Sequence, residues 1–197
     1  MDQQTINTYN KMAKEYDEET VDFWDRFPRT FLDKFIELSG KKIIDVGSGP
    51  GRDGLLLQKA GKAITCVDAS EAMVKLSSER GLESVIASFE GLPFGDASFD
   101  GVWSYTALLH IPKKSIDDAL KEISRVLKPS GMFALGLIEG DTEEYRESSG
   151  VGLPRLFSYY KKNEVVELCR KHDLELVHFE SFKPRSKNYI NFIFRKS

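Results

Sequence analysis

Short apolar runs alternate with amphipathic stretches along most of this chain. Near its start Ile6, Tyr9, Ala13 and Tyr16 recur at spacings of three and four, which predicts one face of a helix. Pro28 can open a second helix, with Phe31, Leu32, Phe35 and Ile36 inward and Ser39-Gly40 closing it. The pattern then changes. "KIIDV" predicts a short buried strand, and "RDGLLLQKA" a helix ended by Gly61. "AITCV" predicts a second strand, and "EAMVKLSSER" a helix with Ser70 as N-cap. "SVIA" and "FDGVWS" predict a third and a fourth strand. In "SIDDALKEISRVLK", Ile116, Leu120, Ile123 and Leu127 share the inward face of a helix, Ser115 and Asp118 make a capping-box-like pair, and "PSG" is the stop. "MFALGLI" predicts a fifth strand.

A polar stretch, "EGDTEEYRESSGVGLPR", interrupts the alternation and is long enough for a functional loop or lid. "NEVVELCRKH" predicts the last helix, with Asn163 as N-cap. "LELVHF" and "NYINFIF" have no helix between them and can pair as an antiparallel hairpin at a sheet edge. Alternating strands and helices imply an α/β fold with a doubly wound, mostly parallel sheet. A single domain is expected over residues 1–197: a helical cap (1–40), a binding core (41–138), a loop or lid (139–160), and the last helix with its edge hairpin (161–197). Ligands of such sheets bind beyond the carboxyl ends of the strands.

Composition narrows the possible functions. The net charge of −3 argues against broad nucleic-acid binding. The tail from Lys183 to Ser197 is a local exception, with Lys183, Arg185, Lys187, Arg195 and Lys196 and no acid, and reads as a solvated surface. Cys66 and Cys169 lie in apolar surroundings without metal-ligand spacing, so they read as reduced core residues, and no metal is expected. The polar N-terminus is no secretory signal, and the longest apolar run is too short to span a bilayer. A cytoplasmic protein without a membrane partner is expected, as a monomer or homodimer.

The stretch "IIDVGSGPGRDG" carries the chemistry. Gly49-Pro-Gly51-Arg-Asp-Gly54 matches G-x-G-x-x-G, and Asp68 follows Gly51 by 17 residues at the end of the second strand, which admits a dinucleotide. Against that, Asp45 stands where a dinucleotide strand is normally apolar, and glycines at 47, 49 and 51 start the tight turn earlier. The chain after the fifth strand is also short for a substrate domain.

"DVGSGPG", "VDASEAM", "LPFGDASFDGVWSYTALLHI" and "ALKEISRVLKPSG", with "YNKMAKEYDE" before them and "RLFSYYKKNEVVELCRKHDLE" after, resemble in order and spacing the class I S-adenosylmethionine (SAM)-dependent methyltransferases of the broad bacterial small-molecule type. The resemblance covers nearly the whole chain and implies a seven-stranded Rossmann-like sheet of order 3-2-1-4-5-7-6 with an antiparallel last strand. It implies SAM as cofactor and a small-molecule methyl acceptor. It places the amino-acid tail of SAM on Asp45 and the backbone of Gly47, Ser48, Gly49 and Gly51, the ribose hydroxyls on Asp68, and the adenine or ribose beside Ala69 and Met73. Ser88 stands where the family often has Asp against the adenine amino group, and Phe89 would offer its backbone N–H to the ring. Ser104 and Tyr105 would sit beside the methionine moiety, and Tyr16 would cap the cofactor.

His110 matches a position where the family often has His near the transferred methyl. With Tyr16 it is a candidate for catalysis, although one His after an apolar stretch also reads as structural. Tyr9, His110, Arg155, Phe157 and Tyr160 are candidates for the acceptor pocket, since an aromatic wall suits a sulfonium. Two rival functions stay open: a SAM-binding sensor or partner subunit without turnover, and an NAD(P)-dependent oxidoreductase.

Overall fold

The computed structural model describes residues 1–147, 152–184 and 186–197; Arg185 of the basic tail lies outside them. Two helices, α1 (Gln3–Lys11) and α2 (Ala13–Thr20), stand where the spacing predicts one. Met12 breaks them, with φ −114° and ψ 21°. Across the break Thr5, Thr8 and Ala13 face the body, while Tyr9 and Tyr16 meet edge to edge with ring centroids 5.2 Å apart. A short helix that the pattern missed, α3 (Phe23–Arg26), precedes α4 (Thr30–Leu38), which buries Phe31, Leu32 and Phe35.

The alternation expected next is present. In chain order it is β1 (Lys42–Val46), α5 (Arg52–Lys59), β2 (Ala63–Asp68), α6 (Glu71–Glu79) and β3 (Glu83–Ile86), then β4 (Phe99–Tyr105), α7 (Ile116–Val126) and β5 (Leu127–Ile138). A hairpin follows, β6 (Glu143–Glu147) with β7 (Pro154–Ser158), and then α8 (Lys162–Arg170), β8 (Leu174–Phe182) and β9 (Tyr189–Lys196). Seven strands form one sheet in the order β3-β2-β1-β4-β5-β9-β8, with β9 antiparallel to both neighbours. This is the expected doubly wound topology with its edge hairpin.

Strand periodicity divides the core in two. Ile44 and Val46 of β1 join Leu120 and Ile123 of α7 and Val165 and Cys169 of α8 on one face of the sheet. Ile43 joins Trp103, Cys66 and Phe35 on the other, under α3, α4 and α5. Asp45 alternates with Ile44 and so belongs to this second face, level with Cys66 and Trp103 on the flanking strands. Both cysteines are buried and unpaired.

Local details depart from expectation at three places. Ser70 caps α6, but Ser115 does not cap α7: a 3-10 turn over Lys113–Ser115 runs straight into the helix, and the Ser115 side chain makes no cap bond. Asn163 lies inside α8, whose start is closed by Glu164 accepting the Lys161 N–H at 3.4 Å. "PSG" does not end in a loop. It sits within β5, where the register against β4 shifts and Ser130 takes φ 62°. Among the described residues no helix is long and apolar enough to cross a membrane.

Candidate active site

β1 and β2 run side by side and end together, Val46 beside Val67, so the chain leaving β1 turns past the carboxylate that ends β2. This is the carboxyl edge of the sheet, where the strand order reverses between β1 and β4. Gly47 takes φ 76°, and a Cβ there would collide with that of Ala107 in the segment after β4. Gly51 takes φ 85°, and a Cβ there would lie 2.6 Å from Leu82 Cδ1. The loop is therefore pinned between two other segments.

The backbone donors of this loop are spent internally. Gly47 and Ser48 N–H groups both donate to the Val67 carbonyl (2.8 and 3.0 Å), and Gly51 N–H donates to Ser48 O (3.1 Å). Gly49 N–H donates to Asp68 Oδ2 at 2.9 Å, and Ser70 N–H to the other oxygen at 2.8 Å. The expectation that these N–H groups meet a ligand carboxylate does not match this arrangement. Asp68 remains directed at the cleft with a second lone pair on each oxygen. Burial raises its pKa, and the backbone donors oppose the shift.

Beneath the loop lies a charged cluster that the sequence reading only half anticipated. Asp53 accepts from Trp24 Nε1 (2.7 Å), Trp103 Nε1 (2.9 Å) and Arg52 Nε (2.7 Å). Burial would raise its pKa, but the Arg52 charge, together with the three hydrogen bonds, holds it below the usual carboxylate range. Asp45 has the opposite fate. It is 2% exposed and its Oδ2 has no partner among the described residues. Burial and then repulsion from Asp53 drive its pKa well above the ordinary value, with Arg52 opposing. Asp45, Gly47, Ser48, Gly49, Arg52 and Tyr105 line one small chamber, closed by Tyr16 and Thr20 of α2. Ser104 is fully buried but lines neither this chamber nor the one beside it; on β4 it alternates with Trp103 and Tyr105, and its hydroxyl has no partner among the described residues.

The other expected cofactor residues are less closely gathered. Met73 lines an adjoining chamber with Asp68, Tyr105, Gly47 and Gly49, of which Tyr105 and the two glycines also line the first. Phe89 is buried behind Gly47. Ser88 bridges to Gly91, and neither it, Ala69 nor Phe89 lines the chamber. Met1 does, with its ammonium paired to Glu90.

Tyr9, Tyr16, Thr106 and His110 form the wall between this chamber and a second cleft of about 270 Å³. Thr106 takes φ 53°, an unusual conformation for a β-branched residue, and it held no signal in the sequence. Behind the wall is a chain of hydrogen bonds. His110 Nδ1 lies 2.6 Å from the Leu156 carbonyl, which can only accept, so Nδ1 carries the proton. Burial lowers the His110 pKa to about 3, with the Leu156 bond opposing and Arg155 adding to it, so the ring is neutral. Its bare Nε2 accepts from the Tyr9 hydroxyl at 2.9 Å, and that hydroxyl accepts from Arg155 at 2.7 Å. Burial raises the Tyr9 pKa, with Tyr16 adding and Arg155 opposing. In this geometry His110 orients Tyr9.

Strand alternation sorts the aromatic cluster of β7 and its continuation. Arg155 and Phe157 turn into the second cleft, while Tyr160 falls on the other side and packs with Leu108, Ile116 and Val165. The structure does not bring Tyr160 into the second cleft; it lies apart from the other residues expected around an acceptor. The described residues contain no grouping of His, Cys, Asp or Glu suited to a metal ion.

Comparison with known proteins agrees with this architecture. Residues 44–135 match the family model described as a methyltransferase domain. An uncharacterized protein of Methanocaldococcus jannaschii is 32% identical over 84% of this chain and 80% of its own length. The 27-O-demethylrifamycin SV methyltransferase of Amycolatopsis mediterranei is 29% identical over 55% of this chain and 46% of its own. The chain spans less than half the length of several such curated methyltransferases. Among solved structures, the Burkholderia thailandensis 1,6-didemethyltoxoflavin-N1-methyltransferase, crystallised with 1,6-didemethyltoxoflavin and S-adenosylhomocysteine, superimposes with a TM-score of 0.72. It is 20% identical, over 98% of this chain and 88% of that one.

Proposed function

The chain belongs to the class I SAM-dependent methyltransferase family, and from that premise we propose that it binds SAM at the glycine loop and transfers its methyl group to a small molecule in the adjoining cleft. One observation carries the reading: a buried Asp45 with an oxygen that has no hydrogen-bond partner among the described residues, in a chamber that shares a wall with a separate cleft. Such a buried carboxylate suits an incoming ammonium, and SAM has one. Arg52, in the same chamber, suits the α-carboxylate in place of the spent loop donors. Asp68 suits the ribose hydroxyls, and Met73, which lines the same chamber as Asp68, suits the adenine or ribose.

SAM supplies an activated methyl on a cationic sulfur. The protein's part is to hold the acceptor in line with that methyl and to keep water out, which is worth roughly 7–11 kcal/mol when orientation is good. Tyr9 and Tyr16 close the chamber, and their ring faces suit a sulfonium. Tyr9 and Tyr16 meet edge to edge, and the first is locked by Arg155 and His110. The His110 nitrogen that would take a proton is engaged by Tyr9, so the reaction favours an acceptor whose nucleophile needs no strong base from this side.

Calorimetric titration with SAM and with S-adenosylhomocysteine, on wild type and on Asp68→Asn, tests the cofactor. Micromolar binding is expected, weakened about 10–100-fold in the variant by loss of charge-assisted hydrogen bonds worth roughly 1.5–3 kcal/mol. A folded wild-type protein that binds neither compound refutes the proposal. Binding without methyl transfer to any of a broad acceptor panel favours a sensor instead.

A further inference from the structure

We propose that Arg80 is a positioning residue that latches α2 over the cofactor chamber and so sets how long SAM and its demethylated product stay bound. This rests on the methyltransferase reading and adds a residue that lines neither chamber nor the second cleft. Arg80 is the C-cap of α6, with its backbone N–H on the carbonyls of Leu76 at 3.3 Å and Ser77 at 3.2 Å. From that fixed base the guanidinium reaches in two directions. Nη1 donates to the Pro50 carbonyl at 2.5 Å, between Gly49 and Gly51 of the loop. Nη2 donates to both carboxylate oxygens of Asp17, at 2.7 and 2.5 Å. One side chain thus joins α6, the glycine loop and α2.

The place of Asp17 makes this bond consequential. Its neighbour Tyr16 and Thr20, one turn apart on α2, close the chamber that holds Asp45. Tyr16 also lines the adjoining chamber and the second cleft. α1 is tied down separately. Leu156 N–H donates to Thr5 Oγ1 at 2.9 Å, Thr8 Oγ1 donates to the Pro154 carbonyl at 2.8 Å, and Ser70 Oγ donates to Asn10 Oδ1 at 2.7 Å. Among the described residues α2 has no such set. Its hydrogen bonds beyond itself run to Met12, to Arg26 and to Arg80, and of these only the last reaches the glycine loop or α6. A cofactor that passes α2 needs this helix to swing about Met12, where the two helices break, and so needs Asp17 to leave Arg80. The two side chains are 26% and 20% exposed, and the contact is charge-assisted, so water and salt weaken it less than an open surface pair.

The test follows release of methyl-labelled SAM into an excess of unlabelled SAM, without acceptor, from wild type, Arg80→Met, Asp17→Ala and the double variant. Each single variant is expected to release SAM about 10-fold faster. The double variant should be no more than about twofold faster than either, because both changes remove one contact. Arg80→Lys, which keeps the charge on a single point, should recover part of the wild-type rate. Amide hydrogen exchange without cofactor is the second readout: residues 13–20 should lose protection in Arg80→Met while residues 3–11 keep theirs. Wild-type release rates in the single variants, multiplying effects in the double variant, or a lowered urea midpoint with release and α2 exchange unchanged overturns the proposal. A wild-type protein that binds no SAM overturns the cofactor reading and this one together, and shows in its own titration. One that binds SAM but releases it at a rate indifferent to Arg80 overturns the latch alone.

Discussion

Asp45→Asn should make the ligand-free protein more stable and the SAM complex weaker. The wild-type carboxylate is buried, has an oxygen without a hydrogen-bond partner among the described residues, and lies near the ionised Asp53. Leaving a buried polar group unsatisfied costs about 1–3 kcal/mol, and more when it is charged. Asparagine keeps the shape and drops the charge, so a gain of about 1–2 kcal/mol at neutral pH is expected. For a chain of this length that raises Tm by about 2–8 °C. The sign with pH follows from linkage. A folded-state pKa above the unfolded value means that the native state holds the proton more tightly. Wild type therefore loses stability as pH rises from the unfolded carboxylate range, about 4, to the raised folded value. The gain in the variant should accordingly vanish near pH 4 and appear above it. With SAM the gap closes, and inverts if the loss of affinity is near 100-fold: at about 100 times the wild-type Kd, wild type gains about 2.7 kcal/mol, while the variant gains about 1.4 kcal/mol at about tenfold and about 0.4 kcal/mol at about 100-fold weaker binding. Differential scanning fluorimetry from pH 4 to 8, with and without SAM, reads all of this. A ligand-free variant less stable than wild type at pH 7, or one that keeps full SAM affinity, refutes the reasoning.

Gly47→Ala places a methyl against Ala107 in a left-handed backbone conformation, so a loss of at least about 2 kcal/mol is expected in urea unfolding, together with loss of SAM binding. Asp53→Ala leaves the Arg52 cation and two indole N–H groups unpaired in the core; a cost of about 3–5 kcal/mol is expected, read by the same unfolding curves. Tyr9→Phe removes the hydroxyl between Arg155 and His110, so kcat should fall roughly 10-fold with SAM affinity nearly unchanged, as steady-state kinetics and calorimetry would show.

Much of the sheet was legible because each strand's burial is written in its own residues. "KIIDV", "AITCV" and "MFALGLI" are nearly continuous apolar runs, as strands covered on both faces must be, and the last two strands paired as expected because no helix separates them. The errors fell where tertiary contacts override local preference. Ser115 and Asp118 have the chemistry of a capping box, yet the turn before α7 already bends the backbone there. The single N-terminal helix breaks at Met12, which has no helix-breaking side chain; the break lets α1 pack on β7 and α6 while α2 leans over the glycine loop. The hairpin of β6 and β7 hid in a polar stretch because β6 is fully exposed and so shows no apolar alternation.

The site was legible to the same extent and for the same reason. Asp45, Asp68 and the glycines occupy fixed offsets from a strand end, so sequence spacing alone places them at one edge. Arg52 and Thr106 carry no such spacing. Arg52 reads as an exposed first-turn residue until the fold sets it against Asp53 and the Phe23 ring, 4.6 Å away. The second cleft is harder still, because its charges come from α2, α3, α5, β7 and the β8–β9 connection, segments far apart in the chain. Only the assembled molecule sets these side chains around one space, with Arg26 and Arg52 held by neighbouring aspartates and Arg155 by the Tyr9 hydroxyl.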